Sequence, residues 1–299
     1  MWAVYICALA AIVIVTGNLA VMVIFTRTPS LRMRKYCLLI SLSVSDFFVG
    51  LISVPYYLVL LVHSPFSQAS YLVYTVQDIL FGTASVFGLT AVAFERAYAV
   101  YFPFKHRTLW KGAYMIGIAA VWSVAILFAF LTTSEYTISI LYPTVASISI
   151  SLLGIIISYV LIWIKMHCMT NMASHAIQKR DKKMTVTLLI VTIVSLLAWI
   201  PFQVVTVYAI TCGSQCLFDK QKEVMITKVL QYSNSLVNPI IYGLRVPQFK
   251  RALLKRLLCN RDLSVEVGHE LAARNRDPPS VVPINTNDNM TRIESGGTD

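Results

Sequence analysis

Residues 36–62 read YCLLISLSVSDFFVGLISVPYYLVLLV. The stretch carries one charge, Asp46, and is longer than the roughly 20 residues an α-helix needs to cross a hydrocarbon core of ~30 Å. Its apolar residues fall on odd and even positions alike, whereas a barrel strand is apolar only at every second one. A carboxylate facing lipid in mid-span costs at least ~2.5 kcal/mol, so Asp46 has to point at other helices. One such helix cannot shield it alone. The stretch therefore predicts a bundle of membrane helices around it.

The rest of the chain agrees. Of 299 residues, 57% are hydrophobic and 13% charged. A soluble domain is nearer 45–50% apolar and about 25% charged. Further apolar blocks lie near 2–26, 70–102, 112–131, 137–166, 182–210 and 224–244, making seven. Between them stand RTPSLRMRK (27–35), HSPFSQA (63–69), PFKHRTLWK (103–111), TTSEY (132–136), HCMTNMASHAIQKRDKK (167–183) and CGSQCLFDKQKE (212–223), rich in helix-ending residues. The third and fifth blocks exceed a perpendicular span and predict tilt or extension beyond the bilayer. This composition excludes a soluble enzyme, a disulfide-rich secreted domain and a disordered chain. The first block, MWAVYICALAAIVIVTGN, lacks a charged n-region and is too long for a cleaved signal peptide, so it reads as a span.

Lys and Arg set the orientation. Of 25, 22 fall on the loops at 27–35, 103–111 and 165–183, at Arg96, and beyond 244. Only Lys220, Lys222 and Lys228 fall on the other side. The positive-inside rule puts the N-terminus outside and the C-terminus in the cytoplasm, in a plasma-membrane multi-pass topology. The net charge of +11 then reads as attraction to inner-leaflet lipid rather than to nucleic acid. Residues 1–246 form the membrane domain on this reading. Residues 247–259 form an amphipathic surface helix, with Phe249, Leu253, Leu254, Leu257 and Leu258 opposite Lys250, Arg251, Lys255 and Arg256. Cys259 is a candidate palmitoylation site. Residues 260–299 read as a disordered cytoplasmic tail, so the sequon at Asn289 faces the cytosol and is expected to stay unmodified.

The ionisable residues legible inside the blocks are Asp46, Asp78 and the pair Glu95-Arg96. Asp78 and Arg96 are 18 residues apart, about five helical turns. They share one face, with a carboxylate toward the outside and a guanidinium toward the inside.

These residues carry a resemblance over nearly the whole chain. Gly17-Asn18, Leu42-Ser43-Val44-Ser45-Asp46, Glu95-Arg96-Ala97, Trp122, Tyr159, Ala198-Trp199-Ile200-Pro201-Phe202 and Asn238-Pro239-Ile240-Ile241-Tyr242 each fall on their own block, in order. In this they resemble the rhodopsin-family (class A) G-protein-coupled receptors. The resemblance implies an all-α seven-transmembrane bundle with a short amphipathic eighth helix. The implied activity is reception of an extracellular ligand and activation of a heterotrimeric G protein, with no enzymatic step.

It also implies residue roles. Glu95, Arg96, Asp181, Tyr159, Trp199, Pro201, Asn238, Pro239 and Tyr242 match the activation switch, with Arg96–Asp181 as an inactive-state lock. Pro201 and Pro239 each remove a backbone hydrogen bond and kink their helices, which suits a hinge. Arg96, Pro103 and Phe104 match the G-protein contact. Asp46, Ser85, Asn234, Ser235 and Asn238 match an allosteric sodium site, and all five bear the oxygens a hard cation prefers. Asp78 and Tyr232 match the ammonium site of biogenic-amine receptors, with Ile79, Gly82, Ser147, Trp199, Phe202 and Gln203 completing the ligand contacts.

Departures leave the ligand open. Tyr71 stands where the family's outer disulfide begins, and 132–142 holds no cysteine. Cys212 and Cys216 are expected to close a small disulfide in the third outer loop. These outer loops look more like the melanocortin and adenosine branches, although Tyr56, Tyr71 and Thr75 lack the acids melanocortin receptors use. A nucleoside, peptide or lipid is the alternative ligand, and a small extracellular one fits the short second outer loop. A transporter or channel is the rival of another class, but the halves show no repeat. An opsin is disfavoured, since Tyr232 stands at the chromophore lysine's position.

Overall fold

The computed structural model describes residues 2–28, 36–62, 67–133, 137–168, 175–212, 221–245 and 249–254. Each apolar block is helical. The first is α1 (Trp2–Arg27). The second is α2 (Cys37–Phe48) and α3 (Val54–Val62), joined by one π-turn over Val49–Ser53. Then come α4 (Gln68–Tyr101), the short α5 (Pro103–Thr108), α6 (Lys111–Leu131), α7 (Thr137–Cys168), α8 (His175–Cys212) and α9 (Gln221–Arg245). Among the described residues, five helical stretches are long and apolar enough to cross a membrane: Val4–Arg27, Cys37–Val62, Gln68–Tyr101, Lys111–Leu131 and Tyr142–Lys165.

Local chemistry explains the boundaries. Ser67 caps α4, its hydroxyl accepting from the Ser70 amide at 3.1 Å. α4 ends at Phe102, and Pro103 starts α5 at a position where its missing N–H costs nothing. The π-turn, which periodicity does not announce, ends two residues before Pro55. Proline cannot donate to the carbonyl four residues earlier and crowds it, and a wider turn accommodates both. α8 starts at His175, inside the polar segment expected to be loop. The Ala, Gln, Lys and Arg residues there are strong helix formers.

α4 is the central helix, packing against α2, α6, α7 and α8, while α9 packs on α8 and α1. Burial is inverted relative to a soluble protein. Asn18, Asp46, Ser85, Asn234, Ser235 and Asn238 are buried, whereas Leu9, Ile12, Phe130, Ile150 and Leu197 face outward. Apolar side chains on the rim meet lipid and the polar ones must find each other. Trp122 Nε1 donates to Ser41 Oγ at 3.0 Å, fixing α6 on α2. Asn18 Nδ2 donates to the Ser235 carbonyl at 3.0 Å, tying α1 to α9.

Gly50 lies in the π-turn, where an added Cβ would stand 2.6 Å from Ile14 Cγ2. Gly50→Ala is therefore expected to cost about 1–3 kcal/mol through displaced packing of α1. Gly117→Ala, with nothing within 4 Å of its Cβ, is expected to be neutral or slightly stabilising. Thermal unfolding of the two variants in detergent checks the contrast.

Residues 249–254 are helical. Phe249 is buried, its ring 5.6 Å from that of Phe25, and Lys250 and Arg251 are exposed. Residues 255–299, including Cys259, lie outside the described part.

Candidate functional site

Two polar clusters and a cavity between them occupy the bundle interior. The deeper cluster centres on Asp46, which has no exposed surface. Ser85 Oγ donates to its Oδ1 at 2.8 Å, Ser235 Oγ to the same oxygen at 2.7 Å, and Asn238 Nδ2 to its Oδ2 at 2.6 Å. Asn234 Nδ2 reaches Ser85 Oγ at 3.4 Å. The five residues expected to act together thus do stand together, drawn from α2, α4 and α9. The amide oxygens of Asn234 and Asn238 are buried and accept no hydrogen bond among the described residues. A buried acceptor left so costs about 1–3 kcal/mol. Two unmet oxygens beside a carboxylate and two hydroxyls form a donor set that fits a hard monovalent cation.

The outer cluster centres on Asp78 of α4. Tyr232 OH donates to Asp78 Oδ1 at 2.9 Å, the contact expected of it. Because the Tyr232 proton is committed there, Tyr74 OH donates to Tyr232 OH at 3.0 Å. The rings of Tyr56, Tyr57 and Tyr71 surround Tyr74.

Sequence reasoning did not include the partner of the second Asp78 oxygen, Lys228, and counted it only among the outer charges. It lies inside α9 with 5% exposure, and its Nζ donates to Asp78 Oδ2 at 2.5 Å and to Gln231 Oε1 at 2.9 Å. The ammonium also faces the rings of Phe202 at 4.4 Å, Tyr232 at 5.1 Å and Tyr74 at 5.8 Å. The signal lay in the register. Lys228, Gln231, Ser235 and Asn238 recur at helical spacing on one face of α9, with Tyr232 and Asn234 beside them.

The cavity links the clusters. It has a volume of about 10 Å³, room for roughly one water, and is lined by Val49, Asp78, Gly82, Ser85, Trp199, Gln231, Tyr232, Asn234 and Ser235. Its walls thus run from Asp78 past Trp199 to the neighbours of Asp46. Gly82 borders both Trp199 and Gln231, so a methyl there would stand 3.5 Å from the indole and take up part of this space. Trp199 meets Phe202 edge-on at 6.4 Å, and its buried Nε1 has no acceptor among the described residues.

Two expected ligand contacts are otherwise engaged. The Ser147 hydroxyl donates to the Thr144 carbonyl of its own helix at 2.8 Å, a packing role. Gln203 Nε2 donates to the Val145 carbonyl at 3.3 Å, bridging α8 to α7. Ile79 is half-buried on α4 and does not line the cavity.

At the other end of α4, Arg96 is buried and its Nε lies 2.8 Å from Glu95 Oε2. The other oxygen of Glu95 accepts from His106 Nε2 at 2.6 Å and from Tyr114 OH at 3.4 Å. Sequence reasoning did not include His106 and Tyr114, since both sit at loop edges. Pro103 and Phe104 stand exposed on α5, Phe104 at 83%. Tyr159 is buried in the core. The side chains of Asp181 and Tyr242 lie outside those described, so the Arg96–Asp181 lock does too. Pro201 and Pro239 fall inside α8 and α9. Cys212 is disulfide-bonded, and Cys216 lies outside the described residues.

Comparison with known proteins agrees with this geometry. The chain is 28% identical over 293 residues to trace amine-associated receptor 4 of Rattus norvegicus, covering 84% of each. It is 27% identical over 293 residues to the histamine H2 receptor of Cavia porcellus, covering 88% of this chain and 80% of that receptor. It is 24% identical over 286 residues to somatostatin receptor type 1 of Rattus norvegicus, covering 85% and 71%. The profile of the 7 transmembrane receptor (rhodopsin family) matches residues 17–140 and 132–242, and this chain, a multi-pass membrane protein and a receptor rather than an enzyme, belongs to that family.

Proposed function

We propose that the chain is a plasma-membrane receptor for a small extracellular ligand bearing an amine. The ammonium meets Asp78, and the receptor activates a heterotrimeric G protein at its cytoplasmic end. The observation that carries the reading is the Asp78–Tyr232 contact standing over a cavity that continues to Trp199 and the surroundings of Asp46. A carboxylate oriented by a tyrosine, with aromatic faces around it and a lysine ammonium already on its second oxygen, is a site chemically suited to a cationic nitrogen. Asp78 and Arg96 sit on one rigid helix, α4. Ligand binding at one end therefore biases the helices that bury Arg96 at the other.

The mechanism is a shift of population. A ligand that fits the active arrangement better, through contacts with Trp199 and Phe202 at Pro201, favours the state in which the inner half of α8 has swung outward. Arg96 then exchanges its Glu95 contact for the G protein, with Pro103 and Phe104 as the adjoining apolar contact. The N-terminus lies outside and the C-terminus in the cytoplasm, with Lys250 and Arg251 at the anionic inner leaflet. The test is nucleotide exchange on a G protein in receptor-bearing membranes, driven by a panel of biogenic amines. A response that disappears in Asp78→Asn at equal surface expression supports the reading. A response to another ligand class that survives Asp78→Asn refutes the amine part.

Sodium is the proposed ion at Asp46, Ser85, Asn234, Ser235 and Asn238. It supplies a positive charge that balances the buried carboxylate and the two unmet amide oxygens. Sodium is expected to raise the midpoint of thermal unfolding over an equal concentration of choline, and Asp46→Asn is expected to abolish that difference. Equal response of the wild type to both salts would contradict the assignment.

A further inference from the structure

Lys228 changes what kind of amine the pocket can take. Both Asp78 oxygens are engaged, Oδ1 by Tyr232 and Oδ2 by Lys228. A ligand ammonium reaches Oδ2 by taking the place of the lysine. The displaced ammonium of Lys228 would then keep only the Gln231 carbonyl and the faces of Phe202, Tyr232 and Tyr74. It would also sit beside the incoming cation. A buried charge stripped of its counterion and placed next to a like charge is strongly disfavoured. A simple monoamine therefore fits poorly. A ligand that brings its own anion leaves every charge paired, with one ion pair exchanged for two.

We infer that the pocket between α4 and α9 is built for a zwitterion, a small molecule carrying an ammonium for Asp78 and a carboxylate for Lys228. The two residues come from different helices and meet directly, so a ligand that parts them offers one charged end to each. The rings of Phe202, Tyr232 and Tyr74 around the Lys228 ammonium, with Trp199 lining the adjoining cavity, select an aromatic side group. The chemical class is an aromatic amino acid rather than the amine left when its carboxylate is lost. Tyr232 and Gln231 orient Asp78 and Lys228 respectively. The inference rests on the receptor reading of Asp78 and names the ligand class for that site.

The test uses the full-length receptor in lipid nanodiscs and three matched pairs: phenylalanine with 2-phenylethylamine, tyrosine with tyramine, and histidine with histamine. Binding is read by calorimetry and by the shift in thermal unfolding, so that it does not depend on a G protein. The wild type is expected to prefer the amino acid of at least one pair by about 100-fold, the value of one buried charge pair gained rather than lost. Lys228→Met is expected to reverse that order, since the carboxylate loses its partner and Asp78 becomes free for a plain amine. Lys228→Gln is expected to do the same, and agreement between the two excludes an effect of side-chain shape. Equal or tighter binding of the amines by the wild type would overturn the inference. So would a wild type that binds neither series while Lys228→Met binds the amines, because Lys228 would then be a lock on an amine site. If neither protein binds either series, the inference and the amine reading of Asp78 fall together.

Discussion

Asp78→Asn is expected to destabilise the receptor by about 3–5 kcal/mol, because it leaves the Lys228 ammonium buried without its counterion. The two side chains retain 12% and 6% of their surface, so water does little to screen the loss. Lys228→Met is expected to cost a similar amount by stranding Asp78, although Tyr232 still donates to it. The double variant has no charge left to strand. It is expected to recover most of the loss, with a coupling free energy of at least ~2 kcal/mol by the double-mutant cycle. Ligand binding separates the variants further. Asp78→Asn and the double variant both lose the ammonium acceptor, so recovered stability does not bring recovered affinity. Additive single effects, each below ~0.5 kcal/mol, would mean that the ion pair contributes nothing to the fold.

Arg96→Ala is expected to abolish G-protein activation while leaving ligand affinity within about threefold in the absence of G protein. Arg96 is the buried cation at the inner end of α4, and the mechanism transfers it from Glu95 to the partner protein. Loss of a charged group at a buried contact costs about 2–5 kcal/mol, a factor from tens to thousands in nucleotide exchange. Glu95→Gln is expected to act in the opposite direction. It removes the charge that holds Arg96 and also weakens the His106 and Tyr114 contacts, so basal exchange rises without ligand. Exchange assays on the two variants at matched expression check both signs. A fully active Arg96→Ala receptor would place the G-protein contact elsewhere.

Much of this arrangement is legible from the chain. Apolar runs long enough for a bilayer specify helices whatever the packing, which is why the seven blocks and the seven long helical stretches coincide. Buried polar residues have few places to go in lipid, and Asp46 and its four partners, spread over α2, α4 and α9, meet as the family resemblance implies. The resemblance likewise implies the meeting of Tyr232 and Asp78. Lys228 is hidden for an identifiable reason. Lys228 is the fifth residue of the 224–244 block, and a lysine near the end of a span resembles a snorkelling one. Only the helical stripe through Gln231, Ser235 and Asn238 shows that it faces inward. Ser147 and Gln203 went the other way. Their hydroxyl and amide have carbonyl acceptors within or next to their own helices, a local competition that residue type does not reveal. The π-turn at Val49–Ser53 follows from Pro55, but a proline in a membrane helix allows a kink, a π-turn or neither.

In the proposed mechanism the Asp78 pocket and the Arg96 end report to each other through α4 and α8. Coupling of this kind is reciprocal, so a G protein that stabilises the active inner end must raise the affinity of the outer pocket for its ligand. The direct measurement is the affinity of the best binder among the matched amines and amino acids, determined in nanodiscs with and without nucleotide-free G protein. Binding is expected to be tighter with the G protein, by about 5–150-fold, with the gain lost on adding guanine nucleotide and absent in Arg96→Ala. An affinity that does not change with the G protein, for a ligand that binds through Asp78, would contradict it.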